Sequence, residues 1–296
     1  MKHEKVPVKA FFRGISILSV LLFSSLSFAA TIHVPDDQPT IQAGIDAAVE
    51  GDTVLVADGT YKGDGNKNID FKGKAITVQS ENAAETCIID CEGEGRGFYF
   101  YSAENQNSVL TGFTITNGNI YHGGGIYLTY GSSPTITKCI ITSNTATSNG
   151  GGINCWKSAN PHISNCVISN NVVTGGYNEG GGIRIYDSSP KITDCTISGN
   201  SVTGDGGGIS IEYYSSPTIT NCSITNNVSE SIYNSYGGGV LCRSNSTPSF
   251  TACIISNNRA KEHGGGAFCT SDTTFNNCTI SNNTTDRYRW RRPVFF

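Results

Sequence analysis

The side chains in this sequence best suited to chemistry are Arg184, Asp187 and Glu212, with Arg243 further along the chain. Guanidinium and carboxylate groups can shuttle a proton or polarise a bond only where the fold sets them side by side. Otherwise they are surface ion pairs of little energetic consequence. A two-acid glycosidic mechanism would need carboxylates on neighbouring structural units, and no such pair is evident. His122 and His263 are too far apart in the chain to share a site. Around the charged residues stand Tyr99, Tyr101, Tyr127, Trp156, Tyr186 and Tyr213. Sugars stack on flat apolar rings with hydrogen-bonding groups alongside, so these six residues and Arg243 are the candidate ligand contacts. Outward tyrosines also simply suit strands.

What positions these residues is a repeat. Gly-Gly-Gly triplets begin at Gly123, Gly150, Gly180, Gly206, Gly237 and Gly264, and each is followed by an apolar strand and a C-x-I-x-x-N segment. A period of this length is one supersecondary unit stacked on its neighbours, a solenoid. Strand alternation sends Ile126, Ile153, Ile183, Ile209, Val240 and Ala267 inward, with Leu128, Cys155, Ile185, Ile211, Cys242 and Cys269 beside them. The third inward column is Ile141, Ile168, Ile197, Ile224, Ile255 and Ile280. Pro134, Pro161, Pro190, Pro217 and Pro248 mark the corner into the next strand. Gly118, Asn144, Asn171, Asn200, Asn227, Asn258 and Asn283 share a position expected to be a left-handed turn. Each coil is expected to carry about three short strands. Function is then confined to outward positions, which run Tyr99, Tyr127, Asn154, Arg184, Ser210, Leu241 and, alongside, Tyr101, Thr129, Trp156, Tyr186, Glu212, Arg243.

Upstream the pattern changes. Residues 1–29 read as a secretory leader: Lys2, Lys5, Lys9 and Arg13, an apolar Ile15 to Phe23, then Ser27-Phe28-Ala29. Residues 30–61 are expected to form a cap, with a short strand, a helix starting at Thr40 and the first buried strand. An amphipathic helix would cover the open apolar end of the first coil. Residues 62–283 are the coils, and 284–296 form an irregular tail that makes a poor cap or marks a truncation.

Two stretches carry a family resemblance. The segment TIQAGIDAAVEGDTVLVADGTY (40–61) resembles the N-terminal cap of right-handed parallel β-helix proteins of the pectin-lyase-like superfamily. The GGG-I and C-x-I-x-x-N repeats resemble the GGxI and FxxN repeats of polymorphic outer membrane proteins. The resemblance implies an all-β right-handed parallel β-helix of about eight coils. It leaves activity open, because that superfamily holds lyases, hydrolases, esterases, epimerases and adhesins without catalysis. No hydrolase paired-Asp motif and no pectate-lyase or pectin-methylesterase signature is present.

Composition narrows the partners. Without the leader the chain carries 16 basic against 23 acidic residues, which argues against nucleic acid. Of eleven cysteines, Cys139, Cys166, Cys195, Cys222, Cys253 and Cys278 recur at one repeat position. They are most simply small buried side chains, since in-register strands aim their Cβ atoms alike, a poor geometry for a disulfide. Neither CxxC nor zinc spacing occurs. Gly204-Asp205-Gly206-Gly207 leaves calcium as the one cofactor worth testing, although an Asp in a Gly-rich turn is usually only a turn. The leading expectation is a secreted or cell-surface, monomeric, adhesin-like protein binding a glycan on the aromatic face. The alternatives are a polysaccharide lyase or glycosidase using Arg184, Asp187 and Glu212, and a structural passenger delivered by an outer-membrane or sorting partner.

Overall fold

A computed structural model of the chain describes residues 1–2, 29–176, 178–231 and 235–286. The leader expected at 1–29 and the tail beyond Asp286 therefore lie almost wholly outside the described residues. The rest is a parallel β-solenoid of about eight coils. Four sheets run along its axis, of ten, nine, seven and seven strands, and strands paired across a sheet come from successive coils. The pairing is in register: Ile126 aligns with Ile153, Ile153 with Ile183 and Ile183 with Ile209. Like side chains therefore stack on like, roughly 4.8 Å apart. All three expected inward columns are packed in one continuous core, half-buried only at their last rung, Ala267, Cys269 and Ile280.

At the first coil, helix α1 (Ile41–Ala47) is shorter than expected. Thr40 caps it by accepting from the Ala43 N–H, and Ile41, Gly44 and Ile45 are buried. Gly44 faces Val54 and Val34 so closely that a Cβ would meet them at 2.8 and 3.0 Å. The helix is a small lid on the first strands.

Three sequence expectations are corrected. The first concerns the asparagines. The left-handed residue is the one before each of them, Ser143, Asn170, Gly199, Asn226, Asn257 and Asn282, with φ of 54–66°. The asparagines themselves point inward and form a ladder. Asn200 Oδ1 accepts from both the backbone N–H and the Nδ2 of Asn171, at 3.0 Å each. Its own Nδ2 donates to the Ile168 carbonyl at 2.9 Å and to Asn227 Oδ1 at 3.0 Å. The amide is there to satisfy buried backbone groups at the corner, where the sheet pattern breaks.

Secondly, each later coil has four strands rather than three. After the asparagine a short strand follows, such as Thr145–Asn149 or Val172–Val173, and these stack as a separate ledge sheet with a small core of Ala146, Val173 and Val202. The ledge continues to Thr284–Thr285, so the coil pattern runs past Asn283 to the last described residues.

The third correction concerns the outward face. Asn154, Ser210 and Leu241 are buried, and so is Tyr127. The cause is the first glycine of each triplet, with φ of 61–70°. There the chain folds back so tightly that a Cβ on Gly123 would meet the Ile126 carbonyl oxygen at 2.6 Å and Tyr127 Cβ at 2.8 Å. The residue before the triplet is thereby laid along the outward column, walling one side of a groove.

The cysteines are free thiols. Each ladder thiol from Cys139 to Cys253 donates to the carbonyl two residues earlier, as Cys195 does to Thr193 at 3.1 Å.

Candidate functional site

Three columns meet on the sheet that runs from Phe98–Phe100 to Ala267–Cys269. Along the wall stand the residues preceding the triplets: His122, Asn149, Glu179, Asp205, Tyr236 and His263. Bridges pair His122 with Asn149, Glu179 with Asp205 and Tyr236 with His263. Along the floor run Tyr127, Asn154, Arg184, Ser210 and Leu241. Along the far side run Thr129, Trp156, Tyr186, Glu212 and Arg243. Parallel register places each of these one rung from the next.

At the centre of the groove the columns converge on an acidic and basic cluster. Arg184 Nε lies 3.4 Å from Glu179 Oε2, and its Nη2 lies 3.4 Å from Glu212 Oε2. Arg243 reaches across the coils to all three acids. Its Nε lies 2.5 Å from Glu212 Oε1 and its Nη1 3.3 Å from Asp205 Oδ2, while Nη2 pairs with Glu179 Oε1. Ser210 Oγ donates to Glu179 Oε2 at 3.4 Å, and the Tyr236 N–H donates to Asp205 Oδ1 at 2.9 Å.

Burial governs the electrostatics. It pushes the Asp205 carboxyl up to about 6, with the Glu179 charge adding and the Tyr236 N–H and Arg243 opposing. It lowers the Arg184 guanidinium, which the Glu179 charge supports. His122 is depressed to about 4 by burial and by the charges of Arg184 and Arg96, so its ring is neutral at pH 7. Tyr127 is raised to about 12 by burial. A carboxyl of this kind is the sort of group that can hold a proton near neutrality. Among the described residues, no three acidic, histidine or cysteine side chains are placed to hold a metal ion.

The structure sorts the sequence-derived candidates. Arg184, Glu212 and Arg243 are brought together. Asp187 is not: it occupies a turn at φ 49° with no ion pair among the described residues. Contrary to expectation, a carboxylate pair does occupy adjacent rungs, Glu179 and Asp205. Asp205 is more than a turn residue, because its carboxylate is engaged by Tyr236 and Arg243. The signal for both lies in the sequence: each directly precedes a glycine triplet, as His122 and His263 do.

The aromatic residues divide differently. In-register pairing turns Tyr99 face to face with Tyr127 at 5.2 Å and 2°, and Tyr186, whose register partner is Glu212, stacks on the following residue, Tyr213, at 4.9 Å and 4°. Each stacked pair hides one face of both rings. Tyr99, Trp156 and Tyr186 are half-buried and Tyr127 is buried, whereas Tyr101, Tyr130, Tyr213 and Tyr214 are exposed. Lys157 Nζ sits 4.0 Å from the Trp156 ring centroid and 4.8 Å from that of Tyr130. Tyr130, Tyr213 and Tyr214 have φ of 53–55°, a conformation that bulky side chains rarely adopt; at the same turn Lys157, Asp187 and Ser244 are also left-handed, and the place of Tyr214 is taken on other coils by Gly131, Ser158 and Asn245.

A separate surface pocket of about 450 Å³ lies under the loop from Glu81 to Glu85, reaching Lys138 and Cys139. It is lined by none of the groove residues, and the Cys139 thiol beneath it is turned to the Thr137 carbonyl at 3.3 Å.

Comparison with known proteins agrees with this architecture. Among solved structures, a pectate lyase, Pel9A, superposes with a TM-score of 0.59 at 13% identity, covering 89% of this chain and 80% of its own. A pectin methylesterase from carrot covers 87% and 84% at the same identity with a TM-score of 0.49. No curated protein matches the chain in sequence. The family model described as "Right handed beta helix region" matches residues 53–205 and 151–288. Spanning most of the coils, that match makes the chain a member of the right-handed β-helix family.

Proposed function

We propose that this chain is a secreted or cell-surface protein, adhesin-like in role, that binds a polysaccharide along the groove. One observation carries the reading: exposed tyrosine rings at 130, 213 and 214 stand on left-handed backbone where a small residue would be easier to accommodate. Strain of this kind costs of order 1–3 kcal/mol per residue and gathers where a side chain has work beyond folding. The rings stand beside a face that carries Arg184, Arg243 and the carboxylates they hold, a mixture of flat apolar and hydrogen-bonding groups that sugars use. The basic, apolar and small-residue succession at the N-terminus supports export. Affinity electrophoresis through polysaccharide-containing gels tests the reading. Replacing Trp156 and Tyr186, or Tyr213 and Tyr214, by Ala should abolish the retardation seen for the parent chain. Unchanged retardation in every retarding gel would remove the aromatic rim from binding.

A second reading, a carbohydrate-active enzyme, is favoured by the Asp205 carboxyl held near 6 beside Glu179. The likeness in fold to a pectate lyase is compatible with it. In that case Asp205 holds the transferable proton, and Arg184 and Arg243 orient Glu179 and Glu212 beside it. The expected outcome is release of new reducing or unsaturated ends from a polysaccharide, lost in Asp205→Asn and Glu212→Gln. A broad polysaccharide screen without release by the parent chain would leave the binding reading alone.

A further inference from the structure

The two arginines at the centre of the groove are matched by carboxylates, but a third arginine is not. Arg96 lies at the N-terminal end of the groove and is only 9% exposed. Its backbone N–H donates to Asn68 Oδ1 at 3.2 Å, which fixes the main chain. Its guanidinium is held by rings alone, with Cζ 4.9 Å from the centroids of both Tyr99 and Tyr127. Among the described residues that guanidinium makes no hydrogen bond and no ion pair, and Nη1 is a buried polar atom without a partner. One rung beyond Tyr127, Asn154 is also buried, with Oδ1 unpartnered.

A guanidinium has five N–H donors and remains charged in proteins. Ring contacts are worth about 0.5–2 kcal/mol, which does not replace the hydration lost by burying such a cation. The nearest charged neighbours reinforce the positive field: Arg96 and Arg184 both depress His122, and only tyrosines raise Arg96 itself. The carboxylates of the cluster are bound to Arg184 and Arg243. An uncompensated, pre-oriented fork of donors at the end of a polar groove is complementary to an oxyanion, which it can engage by two parallel hydrogen bonds.

We infer that the Arg96 end of the groove is an anion subsite, at which the guanidinium, held against the stacked Tyr99–Tyr127 pair, receives a carboxylate or sulfate-ester group of the ligand. That this group belongs to a sugar rests on the polysaccharide reading above; the anion site itself does not. The ligand is then an acidic glycan laid with its charged group over Tyr127 and its neighbouring residues toward Arg184.

Native affinity electrophoresis of the full chain through gels containing carboxymethyl-dextran, dextran sulfate or unmodified dextran tests this, because the three polymers share one backbone. The parent chain is expected to be retarded in at least one anionic gel more than in dextran, and the retarding gel identifies carboxylate or sulfate. Arg96→Gln should weaken that retardation about tenfold or more, the loss of a charge-assisted pair. Arg96→Lys, which keeps the charge without the fork, should fall between. Circular dichroism confirms that each variant is folded. Absence of retardation of the parent in both anionic gels, or unchanged retardation of Arg96→Gln, overturns the inference. The Tyr213→Ala/Tyr214→Ala chain run in the same gels separates the two proposals. Loss confined to it sinks the anion subsite and keeps the aromatic rim, while loss confined to Arg96→Gln does the reverse.

Discussion

Replacing Tyr214 by Asn should make the protein more stable and a poorer binder. Tyr214 is 63% exposed and its φ is 55°. An L-residue with a Cβ pays about 1–2 kcal/mol for left-handed backbone, a cost that Asn largely avoids through local hydrogen bonding. Against this stands the edge-to-face contact with Tyr213, 5.2 Å between centroids at 82°. Such a contact is worth about 0.5–1.5 kcal/mol when buried and the lower figure at this exposure. The net gain is about 0.5–1.5 kcal/mol, or about 1–5 °C in melting temperature for a chain of this size. Tyr213→Asn gives the contrast. Its ring also stacks on Tyr186 at 4.9 Å, so relief of strain and loss of stacking nearly cancel. Urea midpoints at unchanged m-value read both effects. Retardation in the polysaccharide gel that retards the parent should fall for each variant. If Tyr214→Asn is destabilised, or stabilised with binding intact, the claim that this backbone is strained for the ring's sake is wrong.

Two further outcomes follow from the interior and from the cluster. Asn200→Ala should destabilise by about 2–4 kcal/mol, because it orphans the buried Asn171 backbone N–H and strips one partner each from the Ile168 carbonyl and the Asn171 side-chain amide, which keeps the Ile141 carbonyl. Asn283→Ala, on the half-buried last described rung, should cost about 1 kcal/mol since water can replace its contacts; equal losses in urea unfolding would refute the ladder account. The pH profile should show two opposed slopes. Asp205, raised from 3.8 to about 6 in the folded state, binds its proton more tightly folded than unfolded, so its contribution is present below pH 4 and lost as pH rises through 6. His122, lowered from 6.5 to about 4, contributes stability above 6.5 that is lost as pH falls through 4. Between pH 4 and 6.5, Asp205→Asn should therefore show a steeper decline toward acid than the parent, and His122→Gln an increase. Urea midpoints across that range that run parallel in all three chains would contradict both shifts.

Much of the fold is legible because the repeat writes each inward position six times. Ile126 through Val240 recur at one place in the repeat, and strand alternation dictates which of the flanking side chains face the core. The asparagines misled for a physical reason: Asn suits both left-handed turns and buried amide ladders, and here the turn lies one residue earlier. Val172–Val173 is a strand of two residues, too short for any periodicity, so the ledge sheet left no trace. The site was read in part. Arg184, Glu212 and Arg243 lie on aligned strands and were found. Glu179 and Asp205 end connectors of unequal length, which drop out of aligned columns until the glycine behind them is used as the anchor. Arg96 belongs to a coil whose triplet is degenerate, and nothing in its neighbours' types indicates that its charge is unmatched.

Those connectors have a consequence for how such a protein changes over time. Between the ladder asparagine and the next triplet lie five residues after Asn144, eight after Asn171, five after Asn200, nine after Asn227 and five after Asn258. From triplet to asparagine the length barely varies. The variation in length is concentrated in one segment of the coil, and that segment ends on the groove wall. Because the folded-back glycine and the amide ladder hold each rung independently of its connector, loop length can drift without disturbing the stack. The molecule separates a uniform chassis from a margin of variable length, and the margin borders the face that carries the charged cluster.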